Sequence, residues 1–185
     1  MKKLIIYGHP NEKSFCSAIG ESYKDGAIAA WYEVEIMDLY KNYSQNYLSF
    51  VDKTNAESTK LIQQKIDSAD ELCFVFPVWN FSEPAIVKNF WDVNFIKWYS
   101  FKNEDGKNIW LLKGKKGRVI MTAGADIRIV KFLLKIVSSI VRWQWRFGFS
   151  GMDNLWTDIC LNAVNPQNDS GRKVFLTYIY SLGMK

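Results

Sequence analysis

Residues 72–95 read LCFVFPVWNFSEPAIVKNFWDVNF, and this stretch decides the fold. Its first seven residues form an unbroken apolar run, which is typical of a strand buried on both faces of a parallel sheet. The run stops at a loop that contains prolines, aromatic residues and an amide. Because ligands bind at the carboxyl ends of strands in such sheets, residues 77–81 are the first candidate for a binding site. Their rigid, apolar character suits a flat aromatic ligand.

The composition predicts one folded domain covering residues 1–185. Hydrophobic residues make up 48% and charged residues 23% of the chain, both ordinary values for a globular protein. The aromatic content of 16% is high. Most of these rings must therefore pack in a core, and a few are available to line a ligand site.

The charge pattern argues against a nucleic-acid partner. The net charge is +5 and the isoelectric point is near 9.0. The cations are dispersed, however, and no block of five or more like charges occurs. We expect no nucleic-acid binding, although a mildly cationic surface suits an anionic cofactor.

The three cysteines, Cys16, Cys73 and Cys160, are far apart and form no CxxC pair. With one histidine in the chain, a disulfide framework and a zinc site are both disfavoured. This usage predicts a reducing, cytoplasmic compartment. The apolar run after the first lysines is too short for a signal peptide, and no run is long enough for a transmembrane span.

Strands and helices alternate along the chain. We predict strands at residues 4–7, 32–39, 72–78, 118–121 and 152–161, and helices at 14–30, 56–69, 84–96, 127–146 and 169–182. Residues 40–55 and 97–116 are predicted to be irregular connections, with Gly148 and Gly151 ending the fourth helix. Five strand–helix repeats predict an α/β three-layer sandwich with a five-stranded parallel sheet in the order 2-1-3-4-5.

In that order, three loops meet at the carboxyl ends of strands 1, 3 and 4. Residues 8–15 lead into a helix N-terminus, where N–H groups, the Ser14 hydroxyl and the helix dipole form an anion site that His9 can extend. Residues 77–81 offer apolar walls. Residues 122–125 offer a hydroxyl and small side chains that let a ring approach the backbone. A phosphate at one end and a planar heterocycle at the other describe a flavin mononucleotide site.

Each of these features also has a purely structural interpretation. A single histidine at a strand end commonly makes a local hydrogen bond and binds no ligand. Ser14, in the same way, is explained by a role as N-cap alone. No strand is followed by a G-x-G-x-x-G or P-loop motif, and no Ser/His/Asp arrangement stands out.

Four segments carry a resemblance to the flavodoxin-like NAD(P)H quinone oxidoreductase family. GHPNEKSF at 8–15 resembles the family signature A-H-P-x-x-x-S-F, and FPVWNFSEPAIVKNFWDVNF at 76–95 resembles F-P-L-x-W-F-S-x-P-A-x-L-K-x-W-x-D-x-V-F. KKGRVIMTAGA at 115–125 resembles the third motif, which ends T-T-G-G, and RFGF at 146–149 resembles a later F-C-G-[FM] element. All four segments occur in the family order and spacing.

The resemblance implies a flavodoxin-like fold, a bound flavin and a homodimer with the active site at the subunit interface. By position, the flavin phosphate region would be held by His9, Ser14, Phe15 and Cys16. The isoalloxazine would be flanked by Pro77, Val78, Trp79, Asn80 and Phe81. Its pyrimidine and ribityl side would contact Thr122, Ala123, Gly124 and Ala125. FMN is the expected cofactor at this chain length, with FAD as the alternative.

The activity that the resemblance implies is transfer of a hydride from NAD(P)H through the flavin to a quinone, azo or nitro compound, with no side-chain nucleophile. The family commonly has Trp where this chain has Asn80, and Trp79 precedes it. Either the indole has moved by one position or a contact with the flavin has become polar.

Two other function classes are weighed against this one. Some family members are ancillary subunits of membrane cation-efflux systems. In this chain a cationic stripe on the fourth predicted helix could meet a membrane surface or an acidic partner. The stripe consists of Lys131, Lys135, Ser138, Arg142 and Arg146. The third class, an electron-carrying flavodoxin, is the least favoured because its phosphate loop is usually rich in Ser, Thr and Gly and its surface is acidic.

Overall fold

The computed structural model describes residues 1–43, 45–47, 56–124, 139–165 and 168–185. Along these residues run the strands β1 (Lys2–Tyr7), β2 (Glu33–Asp38), β3 (Glu71–Pro77), β4 (Phe101–Glu104), β5 (Lys107–Trp110), β6 (Lys116–Thr122) and β7 (Asp153–Cys160). The helices are α1 (Phe15–Ala29), α2 (Leu39–Asn42), α3 (Ala56–Ser68), α4 (Ala85–Asn94), α5 (Ser139–Ser150) and α6 (Asp169–Gly183). Ala125 and residues 127–138 of the predicted fourth helix lie outside the described residues.

The main sheet has five parallel strands in the order β2-β1-β3-β6-β7. This order confirms the predicted 2-1-3-4-5 arrangement, because β6 and β7 are the fourth and fifth strands of that sheet. All seven residues of β3 are buried. The strand hydrogen-bonds with β1 on one side and β6 on the other, and every residue after Glu71 is apolar, as burial on both faces requires.

The prediction of an irregular loop at residues 97–116 was wrong. β4 and β5 form an antiparallel hairpin whose register runs from Phe101 opposite Trp110 to Glu104 opposite Lys107. Asp105 and Gly106 form its two-residue turn, with φ angles of 51° and 75°. An Asp-Gly pair suits a type I′ hairpin turn, but the four-residue strands are too short and polar to show clear alternation.

Alternate residues of the strands face two separate cores. Leu4, Ile6, Phe74 and Phe76 point toward the face covered by α3, α4 and α5. Ile5, Tyr7, Cys73 and Val75 point toward the opposite face, which α1 and α6 cover. The period-2 alternation of strand side chains produces the three layers that the sequence predicted.

The first core is built around Trp143 of α5, whose side chain is fully buried. Its ring centroid lies 4.7 Å from that of Phe74, 5.3 Å from Trp91 and 5.5 Å from Phe147. Tilted and edge-to-face ring pairs at these distances are favourable. This cluster accounts for part of the high aromatic content.

The end of α5 differs from the prediction, because Gly148 lies inside the helix. The helix ends at Ser150, and Gly151 follows it with a left-handed φ of 82°. The Gly151 N–H donates to the Gly148 carbonyl at 3.0 Å, and the Met152 N–H donates to the Phe147 carbonyl at 3.0 Å. This pair of bonds is a Schellman motif, in which glycine satisfies the left-handed position.

The amino ends of the strands hold a buried ionic network. The Lys3 ammonium donates to the Gly183 carbonyl at 2.9 Å and lies 3.3 Å from a Glu71 carboxylate oxygen. Arg118 bridges Glu71 and Asp158 at 3.5 and 3.4 Å. The network connects the start of β1 to the end of α6. Burial lowers the pKa of Lys3, and the nearby Glu71 carboxylate opposes that change.

We expect Trp143→Ala to lower the free energy of unfolding by about 3–5 kcal/mol, because it opens a cavity in the centre of the aromatic cluster. Trp31→Ala is the control, since Trp31 is also a tryptophan and is 94% exposed. Its effect should stay within about 0.5 kcal/mol. Urea unfolding followed by far-UV circular dichroism measures both, and equal effects would contradict the assigned core.

Candidate functional site

The structure brings the three predicted loops together at the carboxyl ends of β1, β3 and β6. The His9 and Trp79 rings connect the first loop to the second, with centroids 5.9 Å apart. The Val78 N–H donates to the Thr122 carbonyl at 2.7 Å, which joins the second loop to the third. The Cys16 thiol and the Thr122 hydroxyl are 3.1 Å apart and join the first loop to the third.

The loop between β1 and α1 is held by its own polar groups. The Asn11 N–H donates to His9 Nδ1, and the Lys13 N–H donates to Asn11 Oδ1, both at 2.9 Å. The Tyr7 and Ser14 hydroxyls are 2.7 Å apart. Ser14 is the N-cap of α1, because its Oγ accepts from the Ser17 N–H at 3.1 Å. Sequence reasoning did not single out Tyr7 or Asn11, since their role depends on the loop conformation.

The start of α1 has the properties of an anion site. The N–H groups of Phe15 and Cys16 precede the first intrahelical hydrogen bond and have no acceptor within the helix. The first turn carries no acidic residue, and the neighbouring Lys13 is exposed. The Cys16 side chain is buried against Thr122, so this residue can reach an anion only through its N–H. Burial raises the pKa of the Cys16 thiol to about 11, which makes the thiol neutral and unreactive.

Gly8 allows the backbone of the first loop to pass close to α4. A Cβ on Gly8 would lie 2.3 Å from Cγ2 of Val87 and 3.3 Å from Cβ of Phe76. The Gly8 N–H also donates to the Val75 carbonyl at 2.9 Å, which fixes its position beside β3. A side chain at this position would force the loop away from the second loop of the site.

The hydrogen bonding of His9 defines its tautomer. A backbone N–H can only donate, so Nδ1 of His9 is an acceptor and carries no proton. Partial burial lowers the pKa of His9 below its ordinary value. The imidazole is therefore neutral at pH 7 with its proton on Nε2, and this N–H can donate to a ligand.

The second loop contains a strained two-residue turn. Trp79 and Ser82 exchange two backbone hydrogen bonds of 2.9 and 3.0 Å, and the φ angles of Asn80 and Phe81 between them are 49° and 62°. Asn tolerates this conformation, whereas for Phe it costs about 1–3 kcal/mol. The strain leaves the Phe81 side chain 62% exposed and that of Trp79 42% exposed. Pro77 and Val78 form the base of the turn at the end of β3.

The third loop contributes through fewer groups than the sequence suggested. The Thr122 side chain is buried against Cys16. The Ala123 N–H donates to the Cys160 carbonyl at 2.8 Å, and the Ala123 carbonyl accepts from the Ala163 N–H at 3.0 Å. Gly124 is exposed at the same edge. Ala125 lies outside the described residues.

A buried ion pair that sequence reasoning missed borders the second loop. Arg146 of α5 donates to Oε1 of Glu83 at 2.5 Å, and Ser82 Oγ donates to Oε2 at 3.0 Å. Burial acts to raise the pKa of Glu83, but the Arg146 guanidinium outweighs it and the pKa lies below its ordinary value. The signal in the sequence was a carboxylate inside an otherwise apolar segment, which requires a cationic partner.

A family model described as a flavodoxin-like fold matches residues 1–162. The chain belongs to this family. The match covers β1 to β7 and therefore includes all three loops of the site.

Individual relatives agree with the family. The chain is 31% identical over 134 residues to an uncharacterized NAD(P)H oxidoreductase of Haemophilus influenzae, covering 69% of this chain and 66% of that protein. It is 30% identical over 138 residues to an FMN-dependent NADH:quinone oxidoreductase of Coprothermobacter proteolyticus, covering 68% of this chain and 69% of that protein. The alignments thus span about two thirds of the relatives' length.

A solved structure confirms the fold over the whole chain. The NAD(P)H:quinone oxidoreductase from Methanothermobacter marburgensis superimposes with a TM-score of 0.84 at 21% identity, covering 100% of this chain and 98% of that chain. The resemblance drawn from the four sequence motifs is confirmed by these comparisons.

We expect Gly8→Ala to lower the free energy of unfolding by about 1–3 kcal/mol, because its Cβ overlaps Val87. The double variant Gly8→Ala/Val87→Ala removes the overlapping methyl group. Its destabilisation should be smaller than the sum of the two single effects, as expected for residues in contact. Urea unfolding of the three variants measures this coupling, and strict additivity would show that Gly8 is not constrained by α4.

The single histidine makes the pKa of His9 directly measurable. A proton NMR titration of its imidazole should give a pKa below the ordinary 6.5. Because the folded-state pKa is lowered, the unfolded state binds more protons as the pH falls below about 6.5, and the free energy of unfolding falls over that range. His9→Asn should lack this contribution. A pKa above 6.5 would contradict the assigned burial of the imidazole.

Proposed function

We propose that this protein is a flavin-dependent NAD(P)H oxidoreductase that passes a hydride from NAD(P)H through FMN to a quinone or similar small acceptor. One observation carries the proposal. An anion-binding helix start and an exposed aromatic turn lie side by side at one edge of the sheet, connected through His9 and Trp79. The family match and the relatives named as NAD(P)H and FMN-dependent NADH:quinone oxidoreductases support it.

The residues present fit FMN at both of its ends. A phosphate would accept from the N–H groups of Phe15 and Cys16, and the dipole of α1 and the Lys13 ammonium favour its charge. The isoalloxazine would lie against the partly exposed rings of Trp79 and Phe81. Since the side chains of Cys16 and Thr122 are occupied with each other, the middle of the cofactor would meet chiefly the backbone and Gly124.

The protein's own groups would position and polarise rather than react. Bound FMN would supply the chemistry, accepting a hydride from reduced nicotinamide and passing two electrons to the acceptor. The neutral His9 can donate from Nε2 without adding a charge to the site. The aromatic turn is exposed, so one side of the site is open. The nicotinamide and the acceptor would enter from that side, one after the other. We assign no side chain of this chain as a nucleophile or general acid.

The assembly and location are further parts of the proposal. We propose that residues 1–185 form a single domain, supported by the bond from Lys3 to the Gly183 carbonyl between the two ends of the chain. We also propose a homodimer, since α5 exposes Trp145 and Phe149 on its outer surface. A cytoplasmic location is supported by three buried, unpaired cysteines. Of the helices that the structure describes, none is both long and apolar enough to cross a bilayer.

The alternative of an ancillary subunit of a membrane efflux system is not supported by the comparisons. Four of the five residues of its proposed cationic stripe lie outside the described residues or have undescribed side chains. The fifth, Arg146, is directed into the ion pair with Glu83 and is not available to an external acidic surface.

We expect the purified protein, reconstituted with FMN, to show flavin absorption bands and to oxidise NADH or NADPH with a quinone acceptor. Trp79→Ala should weaken FMN binding roughly two- to tenfold, because a ring contact is lost. Trp98→Ala is the control, since Trp98 is 67% exposed and also has a positive φ but lies beyond α4. Fluorescence titration of FMN measures both variants.

The proposal would be refuted by wild-type protein that stays colourless after reconstitution and oxidises neither nicotinamide. A matching loss in the Trp98 and Trp79 variants would show that the aromatic turn is not the ring site. Release of FAD rather than FMN on heating the protein as purified, before reconstitution, would leave the activity in place and change the cofactor.

A further inference from the structure

We infer that the buried ion pair between Glu83 and Arg146 is a positioning device that holds the aromatic turn at residues 79–82 in the conformation that receives the flavin ring. The inference rests on the proposed function and deepens it. It assigns a role to two residues that are remote from each other in the chain and to which the proposed function gives no contact with the flavin.

The turn is an unstable element on its own. Two consecutive residues, Asn80 and Phe81, have positive φ angles, and the Trp79 and Phe81 side chains are largely withdrawn from the core. Such a conformation persists only when its surroundings hold it in place. The turn therefore needs fixed attachment at both of its ends.

The attachment at the start of the turn comes from the sheet. Val78 follows β3 directly, and its N–H donates to the Thr122 carbonyl at the end of β6 at 2.7 Å. The Trp79 ring also rests beside His9, with a centroid distance of 5.9 Å. These contacts fix the start of the turn, and the two backbone hydrogen bonds between Trp79 and Ser82 close it.

The attachment at the end of the turn comes from Glu83. Its carboxylate is 2% exposed and uses one oxygen to accept from Ser82, the last residue of the turn, and the other to accept from Arg146. Pro84 follows at once as the N-cap of α4, which has no side-chain cap hydrogen bond. The Glu83 carboxylate therefore connects the end of the turn to α5.

Arg146 is itself held rigidly. Its guanidinium carbon lies 4.8 Å from the Trp143 ring centroid and 6.0 Å from that of Trp91. Trp143 is the centre of the buried aromatic cluster. The ion pair therefore connects the turn to the rigid core, and a guanidinium beside indole rings is suited to that task.

The direct test is fluorine-19 NMR of apoprotein labelled with 5-fluorotryptophan. The Trp79 resonance is assigned by its loss in Trp79→Phe. Its chemical shift is then compared between the wild type and the variants Glu83→Gln and Arg146→Gln. We expect both variants to shift or broaden this resonance, because the side-chain attachment of the turn to α5 is lost. Asp158→Asn is the matched control, since it removes another buried ion pair, that with Arg118, at a site away from the turn.

The second test measures FMN affinity by fluorescence titration in a double-mutant cycle. We expect each single variant to raise the dissociation constant about tenfold. The double variant Glu83→Gln/Arg146→Gln should also lie near tenfold rather than about a hundredfold, because the two residues act as one unit. Asp158→Asn should bind FMN like the wild type, and circular dichroism confirms that each variant is folded.

The outcomes separate this inference from the proposed function. An unchanged Trp79 resonance in both variants, or additive effects on FMN affinity, would overturn the positioning role while wild-type flavin binding stands. A shifted resonance with unchanged FMN affinity would also overturn it. Wild-type protein that binds no FMN would refute the proposed function, and the resonance of the apoprotein would still report whether the ion pair fixes the turn.

Discussion

Burial of β3 on both faces is the constraint on which the rest of the structure depends. A central strand with seven buried residues must be covered by helices on each side and flanked by strands at each edge. Both requirements are met by right-handed strand–helix repeats, which leave the carboxyl ends of β1, β3 and β6 adjacent. The candidate site lies at that edge because the topology places three loops there, whatever their individual sequences.

The two ends of the sheet are chemically different. The amino ends hold a buried network of Lys3, Glu71, Arg118 and Asp158, in which each charge has a partner. The carboxyl ends carry a neutral imidazole, exposed aromatic rings and the positive end of the α1 dipole. One end is thus stabilised internally, whereas the other presents strained backbone and the N–H groups of Phe15 and Cys16, which have no acceptor within α1. Helix-terminal N–H groups bind anions, and strained backbone is common at binding sites.

The aromatic residues divide into two populations with different tasks. Trp143, Phe74 and Phe147 are fully buried and stabilise the core by packing, whereas Trp79 and Phe81 are held at the surface by the turn. Composition could predict that both populations exist, but it could not assign the rings to either. The assignment of Trp79 depends on the positive φ angles of the next two residues, which arise from the hydrogen bonds that Trp79 exchanges with Ser82.

The sequence by itself determined the sheet order, the helices on both faces and the three loops, because five strand–helix repeats are compatible with few arrangements of a parallel sheet. It also predicted Ser14 as the N-cap of α1, since capping depends on a few neighbouring residues. Only the tertiary structure decided that Cys16 and Thr122 face each other, that His9 is an Nε2 donor, and that residues 101–110 form a hairpin. It alone paired Glu83 with Arg146, because the position of α5 over α4 is set by packing across the whole aromatic cluster.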